Sequence, residues 1–525
     1  MAASDIPSTE DVTVRFRPWA VLLVAAAATA AGVIPIPGLA PAAHRVLIIL
    51  IVAAGLWVTE SLPVAVTALS IPVLALLLGA ADAKTAFAGF GDPIVFLFLG
   101  TFMITEASFQ HGLNDRLARS VVGSRWVSKS PQRLLWAVAL LGCGISAWVN
   151  NTATTAMLLP LALTAERFGS RKLLVGTLLA AAYAPSLGGL ATPVGTAPNL
   201  IGLRLLEQAT GHRPSFAQWC VVFAPLAILA TVISAAWLSW RAKGGQASRG
   251  GAPGSARGGP EERRGAMDGG AATGSSGADA GQRRRSGPRA GPGAPPLPLE
   301  GTTPWSLAER TLIPVFIVVV LLWIAPGILA ATPLREAAWV KAWQARLPEP
   351  AVPLLGALAL FMLPSGGPGR ARILDIRVLR RVDWSTLLLF GGGLSLGGLM
   401  FESGLARALG EAIFHAMPIH GTFGVVLAAT LMAVLVSEMT SNTASAAMVV
   451  PVVLALATAG GMDPIKPVLA ATAGCSFGFM LPVSTPPNAL VYGTGRVTIR
   501  DMITQGVLLD VVGVLLVSVW VTWVG

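Results

Sequence analysis

Residues 145–160 read ISAWVNNTATTAMLLP, and residues 436–451 read VSEMTSNTASAAMVVP. The two strings align without a gap at an offset of 291 residues. Each sits inside a longer apolar stretch, 134–165 and 421–459, and each places an amide–hydroxyl cluster in its middle: Asn150-Asn151-Thr152 and Ser441-Asn442-Thr443. Neither stretch is long enough for two full crossings of a ~30 Å hydrocarbon core, and a single crossing would put the polar cluster in lipid. The reading is a pair of re-entrant hairpins. With arms of about 14 residues at ~1.5 Å each, their tips reach the middle of the membrane.

Two further landmarks keep the same order. Gly112-Leu113 answers Gly404-Leu405 at an offset of 292, and TPVGTAPNLI at 192–201 answers PVSTPPNALV at 482–491, with Asn199 and Asn488 289 apart. Pro within an apolar helical run breaks it, so 174–210 and 466–495 are expected as interrupted spans. Three landmarks within three residues of one offset define an internal repeat.

Composition agrees with a polytopic membrane protein. Of 525 residues 54% are hydrophobic and 12% charged, with a mean hydropathy of +0.69. A soluble domain carries about 25% charged residues. Cys143, Cys220 and Cys475 all lie in apolar runs, which argues against a disulfide framework or a zinc site. No Walker loop or HExxH string is present, nor any cluster of carboxylates or His/Cys ligands at the repeat interface. A membrane enzyme is thereby disfavoured.

The apolar runs predict about eleven spans besides the hairpins: 18–37, 45–62, 64–80, 93–113, 174–210, 216–240, 308–328, 350–366, 384–403, 466–495 and 502–524. The predicted organisation is a tail (1–17), an N-terminal transmembrane helix (18–43), a first repeat (44–241), a linker (242–304) and a second repeat (305–525). With the N-terminus cytoplasmic, 28 of the 37 basic residues fall on the inner side, the distribution the positive-inside rule favours. The C-terminus then lies outside. Residues 244–296 contain no Val, Ile, Leu, Phe, Trp or Tyr and read as a disordered cytoplasmic linker, in which Arg283, Arg284, Arg285 and Arg289 could touch anionic headgroups. Five spans separate the hairpins, an odd number, so the second enters from the opposite face. The repeat is expected to be inverted, an architecture that places a binding site between its halves.

The motifs suit an anion accompanied by cations. Amide and hydroxyl oxygens coordinate hard cations, and N–H and O–H groups donate to anionic oxygens. The second arm of each hairpin starts at its tip, so its helix N-terminus points there too. No Lys or Arg occurs in 134–166 or 408–465. An anion held between these tips is therefore neutralised by helix ends, amides and co-bound cations. Three carboxylates lie in or at the ends of apolar runs: Glu60, Glu106 and Glu438. Glu438 is read first as a buried carboxylate bonded to hydroxyls or helix ends, because Ala147 occupies the matching position in the first hairpin. A proton-coupled role for it is the alternative. His111, His415 and His420 fall near the predicted membrane edges.

These motifs resemble those of the divalent anion/sodium symporter family. The resemblance includes WVTESLPVAVTALSIP at 57–72, GTAPN at 195–199, FGGGLSL at 390–396, TSNTASAAMVVP at 440–451 and STPPN at 484–488. It spans nearly the whole chain apart from the tail and linker. It implies an all-α elevator-type homodimer in the bacterial plasma membrane, carrying a small divalent anion, a C4-dicarboxylate such as succinate or malate first, with Na⁺ as coupling ion. Citrate and sulfate remain open as substrates. The implied substrate contacts are Asn151, Thr152, Asn442 and Thr443, with Thr196 and Thr485 close by. The implied Na⁺ sites are Ser146, Asn150, Asn151 and Gly195, and in mirror image Ser437, Ser441, Asn442 and Ser484. Two positions depart from the family pattern: Asn150 stands where Ser is usual, and Ala197 where Pro is usual. A sodium-independent dicarboxylate exchanger is the alternative.

Overall fold

The computed structural model describes residues 17–122, 124–128, 130–243, 304–330, 332–367, 371–416 and 421–525. The expected N-terminal tail, the Arg-rich linker and His420 therefore lie outside the described residues, except for the edges of the tail and linker. The described residues form helices, and the only bridge among them is an isolated antiparallel contact between Pro364 and Arg372.

Nine helices among the described residues are long and apolar enough to cross a membrane, or ten if the bent pair Ala338–Arg346 and Ala351–Met362 counts as one span. Burial sorts them by environment. The Arg171–Ala191 segment is 100% buried over its apolar window, whereas Leu307–Ala330 is 17% buried, as a lipid-facing helix would be. Three expected spans are shorter than the apolar runs that suggested them. Pro18–Val33 stops before Pro35 and Pro37, which cannot continue a helix. Val64–Leu77 ends at the left-handed Gly79. The 350–366 run holds only the helix Ala351–Met362, bent by 70° from the one before it.

Both hairpins are present as helix pairs that pack against each other. The first joins Pro131–Ser146 to Asn151–Leu163, and the second joins Gly421–Met439 to Asn442–Ala459. The second pair has arms of 19 and 18 residues, longer than the 14 expected, because its apolar stretch runs helically from Gly421 up to the tip. Asn150 and Ser441 cap the second arms, their side chains accepting from the backbone N–H of Ala153 (2.8 Å) and Ala444 (3.3 Å). Pro160 and Pro451 lie inside the two second arms at corresponding places.

The interrupted spans break where Pro and Gly predicted. Arg171–Gly188 continues through a 3₁₀ turn at Gly189–Ala191, unwinds over 192–196 and resumes as Ala197–Thr210. Ile465–Gly474 unwinds over 475–485 and resumes as Pro486–Gly493. The repeats exchange partners: the first hairpin's Asn151–Leu163 arm packs on Pro486–Gly493, and the second hairpin's Asn442–Ala459 arm packs on Ala197–Thr210. Tyr183, fully buried, ties the halves together by donating its hydroxyl to the Phe479 carbonyl at 2.8 Å.

A separate apolar cluster joins the 41–77 region to Trp384–Glu402, through Trp57, Ile71, Leu396 and Met400, and reaches Ala444 and Met448 of the second hairpin. Thr440, at the second tip, donates to the Trp57 carbonyl at 3.3 Å, which sets residues 57–63 beside that tip. Glu60 follows there at φ 48°, in the left-handed region that a non-glycine residue occupies only at a cost.

Candidate functional site

The same hydrogen bonds recur in both repeats. Ser146 Oγ donates to Asn151 Oδ1 at 2.7 Å, and Ser437 Oγ to Asn442 Oδ1 at 3.0 Å. In the unwound segments, Asn199 Nδ2 donates to the carbonyls of Gly189 (2.9 Å) and Thr192 (2.8 Å). Asn488 Nδ2 donates to those of Gly478 (2.9 Å) and Leu481 (3.0 Å). These pairs keep the 289-residue offset of the sequence. Each buried Asn thus takes up two of the carbonyls that a broken helix sets free, as a bilayer interior demands.

The tips lie against these segments. A Cβ on Gly189 would come within 2.8 Å of Asn151 Oδ1 and 3.1 Å of the Thr196 Cβ; one on Gly478 would come within 3.1 Å of Ser437 Oγ and of the Ser484 Cβ. A side chain at Gly189 would force Asn151 to shift, and one at Gly478 would push its neighbours back by a few tenths of an ångström. The first expected Na⁺ set, Ser146, Asn151 and Gly195, is therefore drawn around Gly189. Ser437, Asn442 and Ser484 are drawn around Gly478. Asn150 and Ser441 stand at the neighbouring N-caps.

The expected substrate contacts have the required free groups. Among the described residues, the amide nitrogens of Asn151 and Asn442 and the hydroxyls of Thr152, Thr443 and Thr196 make no hydrogen bond within the chain. Asn151, Thr152 and Thr443 are half-buried and Asn442 is 8% exposed. Thr485 is buried and accepts from the Asn488 backbone N–H at 3.2 Å, leaving its own proton available. The donor set fits a hard cation. It consists of hydroxyl, amide and backbone oxygens, and the buried side-chain oxygens of both Asn199 and Asn488 lack a hydrogen-bond donor.

The repeats differ in how each unwound segment is pinned. In the first, Thr192 Oγ1 donates to the Ala147 carbonyl. In the second, Glu438 replaces Ala147 and its carboxylate accepts from Met480 N (2.8 Å), Leu481 N (3.2 Å) and Ser484 Oγ (2.9 Å). Glu438 thus has the holding role read first from the sequence. Glu106 lies at a helix end and pairs with Arg381 at 2.9 Å, and His111 bonds the Ile373 carbonyl. Sequence reasoning missed the fastening role of Asn199 and Asn488. The signal was Asn at matching places after each Pro.

Two Gly-x-Ser-x-Gly strings, 393–397 and 474–478, do not form nucleophile elbows. No strand precedes either, and Ser395 and Ser476 are 3% and 0% exposed. A cavity of about 610 Å³ lies away from the tips, between Arg171, Lys172, Arg241, Lys243 and Asp501. It is a basic recess at helix ends and contains none of the paired motifs.

The citrate transporter family matches residues 54–474 and, in a second match, 338–525. The chain belongs to that family. It is similar to the sodium-dependent dicarboxylate transporter SdcS of Staphylococcus saprophyticus, 27% identical over 477 residues, covering 88% of this chain and 82% of that protein. The protein of the same name from Staphylococcus aureus is 26% identical over 484 residues, covering 89% and 83%. Among solved structures, the YdaH transporter of Alcanivorax borkumensis shares the fold, with a TM-score of 0.50 and 15% identity over 84% of this chain and 87% of that one. The chain is a multi-pass integral membrane transporter, not an enzyme.

Proposed function

We propose that the chain is a secondary active transporter that carries a small dicarboxylate, a C4 acid such as succinate or malate, together with Na⁺. The observation that carries this reading is the pair of tips. Among the described residues each presents an unpaired amide N–H₂ and an unpaired Thr hydroxyl beside a helix N-terminus, with no Lys or Arg in 134–166 or 408–465. Two such tips suit two carboxylates. Asn151 and Thr152 would donate to one, Asn442 and Thr443 to the other, with Thr196 and Thr485 alongside. A dianion between neutral tips needs cations nearby. Ser146, Asn150, Asn151 and Gly195 would hold one Na⁺, and Ser437, Ser441, Asn442 and Ser484 a second. The names of the staphylococcal relatives support both the substrate class and the ion.

The cation supplies positive charge beside the substrate carboxylates. The protein's own part is to hold the tip oxygens and the unwound carbonyls in register, through Asn199, Asn488 and Glu438. Asn150 Oδ1 accepts one hydrogen bond as an N-cap and retains a second lone pair, so Asn at this position is compatible with a cation site. The recurring bonds and exchanged packing support an inverted repeat, in which the hairpins and broken helices move together against the remaining helices as an elevator. A homodimer in the bacterial plasma membrane, N-terminus cytoplasmic and C-terminus outside, completes the proposal.

Reconstituted protein is expected to accumulate radiolabelled succinate in an inward Na⁺ gradient and not in a choline gradient, with no substrate inside. Equal uptake in both media would refute coupling to Na⁺. Uptake only into vesicles preloaded with dicarboxylate would instead establish exchange. A geometric prediction accompanies this one. Gly189→Ala forces a methyl against Asn151 and Thr196, an overpacking cost of ~1–3 kcal/mol, and should raise the Na⁺ concentration for half-maximal uptake about tenfold. Gly144→Ala, in the same hairpin with nothing within 4 Å of its Cβ, should leave it unchanged.

A further inference from the structure

Three membrane helices end together at the basic recess of about 610 Å³. Arg171–Ala191 and Ile499–Trp523 begin there, and Phe216–Lys243 finishes there. All three are long and apolar enough to cross a bilayer, so the recess lies at the membrane surface and not in its middle. Trp240 lines it, is 63% exposed and stacks on Trp237 at 5.2 Å, as aromatic residues do at the level of the headgroups.

The recess favours an anion. Arg171, Lys172, Arg241 and Lys243 line it against one carboxylate among the described residues, Asp501, which Arg171 holds at 2.7 Å. The two helices that begin here add their positive ends, one capped by Ser170 and the other by Thr498. Phe216–Lys243 adds a negative end, which Arg241 and Lys243 in its own last turn offset.

Gln505 sets a further requirement. It lines the recess, is 9% exposed, and its Oε1 is buried without a hydrogen-bond partner. A buried acceptor left open is costly unless a donor reaches it. The occupant that fits best therefore carries a hydroxyl as well as a negative charge. Val175 and Leu238 make the neighbouring wall apolar, a surface that a hydrated free ion leaves unused.

We propose that the recess binds the headgroup of an anionic glycerophospholipid with a free hydroxyl, of which phosphatidylglycerol is the simplest. The phosphodiester lies among Lys172, Arg241 and Lys243, and a headgroup hydroxyl donates to Gln505. The first carbons of the acyl chains rest on Val175, Leu238 and Trp240. The bilayer delivers such a ligand at this depth, where basic pockets between membrane helices select anionic headgroups. The lipid bridges the start of the broken span in the first repeat and the start of the last helix in the second.

Native mass spectrometry of the full-length protein in neutral detergent tests the site without reference to transport. Phosphatidylglycerol should occupy one site per chain at a concentration about tenfold below phosphatidylcholine. Arg241→Gln with Lys243→Gln should raise that concentration about tenfold; both residues are exposed, so the fold should survive. Arg377→Gln with Arg380→Gln removes two exposed charges that do not line the recess, and should leave binding unchanged. Gln505→Leu keeps every charge and should weaken phosphatidylglycerol several-fold. Excess glycerol phosphate should not displace the lipid. Equal binding of the two lipids, or equal loss in the two double variants, would overturn the site. Wild-type affinity in Gln505→Leu would overturn the hydroxyl contact. Displacement by an equal concentration of glycerol phosphate would overturn the lipid in favour of a soluble phosphate.

Discussion

Asn442→Ala is expected to cut Na⁺-driven succinate uptake by about 10- to 100-fold, the range for losing hydrogen bonds to charged groups at ~1.5–3 kcal/mol. The residue is used from both ends. Its side-chain oxygen accepts from Ser437, whose hydroxyl also reaches the Cys475 carbonyl at 2.7 Å, while its amide N–H₂ has no partner among the described residues. Truncation removes an oxygen from one proposed Na⁺ set and a donor from one proposed carboxylate contact. Both the Na⁺ and the succinate concentrations for half-maximal uptake should rise. Asn151→Ala should behave alike, because Ser146 stands to it as Ser437 stands to Asn442. A variant with wild-type uptake in either repeat would mean that the tips do not form the site as a pair. The helix N-caps are Asn150 and Ser441, which both variants keep, so the fold should survive.

Asn488→Ala should fail in a different way, through the loss of structure. Its amide nitrogen is the donor to the carbonyls of both Gly478 and Leu481, and the residue is completely buried. Removing it strands two acceptors where water is absent, at ~1–3 kcal/mol for each buried unsatisfied group. A drop in the thermal unfolding midpoint in detergent is the expected readout, together with loss of transport. Asn199→Ala should repeat the result, through Gly189 and Thr192. An undiminished midpoint in both variants would show that other groups satisfy the unwound segments.

Much of this architecture was legible in the chain. The apolar runs marked most of the membrane helices, because a lipid-facing helix such as Leu307–Ala330 has few other compositions open to it. Pro198, Pro486 and Pro487 marked where the broken helices resume, since proline is tolerated in the first turn of a helix and not in its middle. Hydropathy overstated the runs at 18–37, 64–80 and 350–366, because Pro35, Gly79 and Pro364 end helices inside windows whose average is still apolar. Side-chain roles were less accessible. Asn199 and Asn488 could be seen as repeated, but an Asn that fastens carbonyls and an Asn that binds a ligand look alike in sequence. Ala147 opposite Glu438 showed that the repeats diverge there. The Thr192–Ala147 bond that does the equivalent work in the first repeat depends on backbone geometry that sequence does not display.

The central claim is that both tips bind one dicarboxylate and that cations beside them make this possible. The most direct measurement is the thermal unfolding midpoint of the purified protein titrated with succinate, in Na⁺ and in choline. Succinate should raise the midpoint in Na⁺ and leave it unmoved in choline, and Asn151→Ala and Asn442→Ala should each abolish the rise. An equal rise in choline, or a full rise in the double variant, would contradict the account.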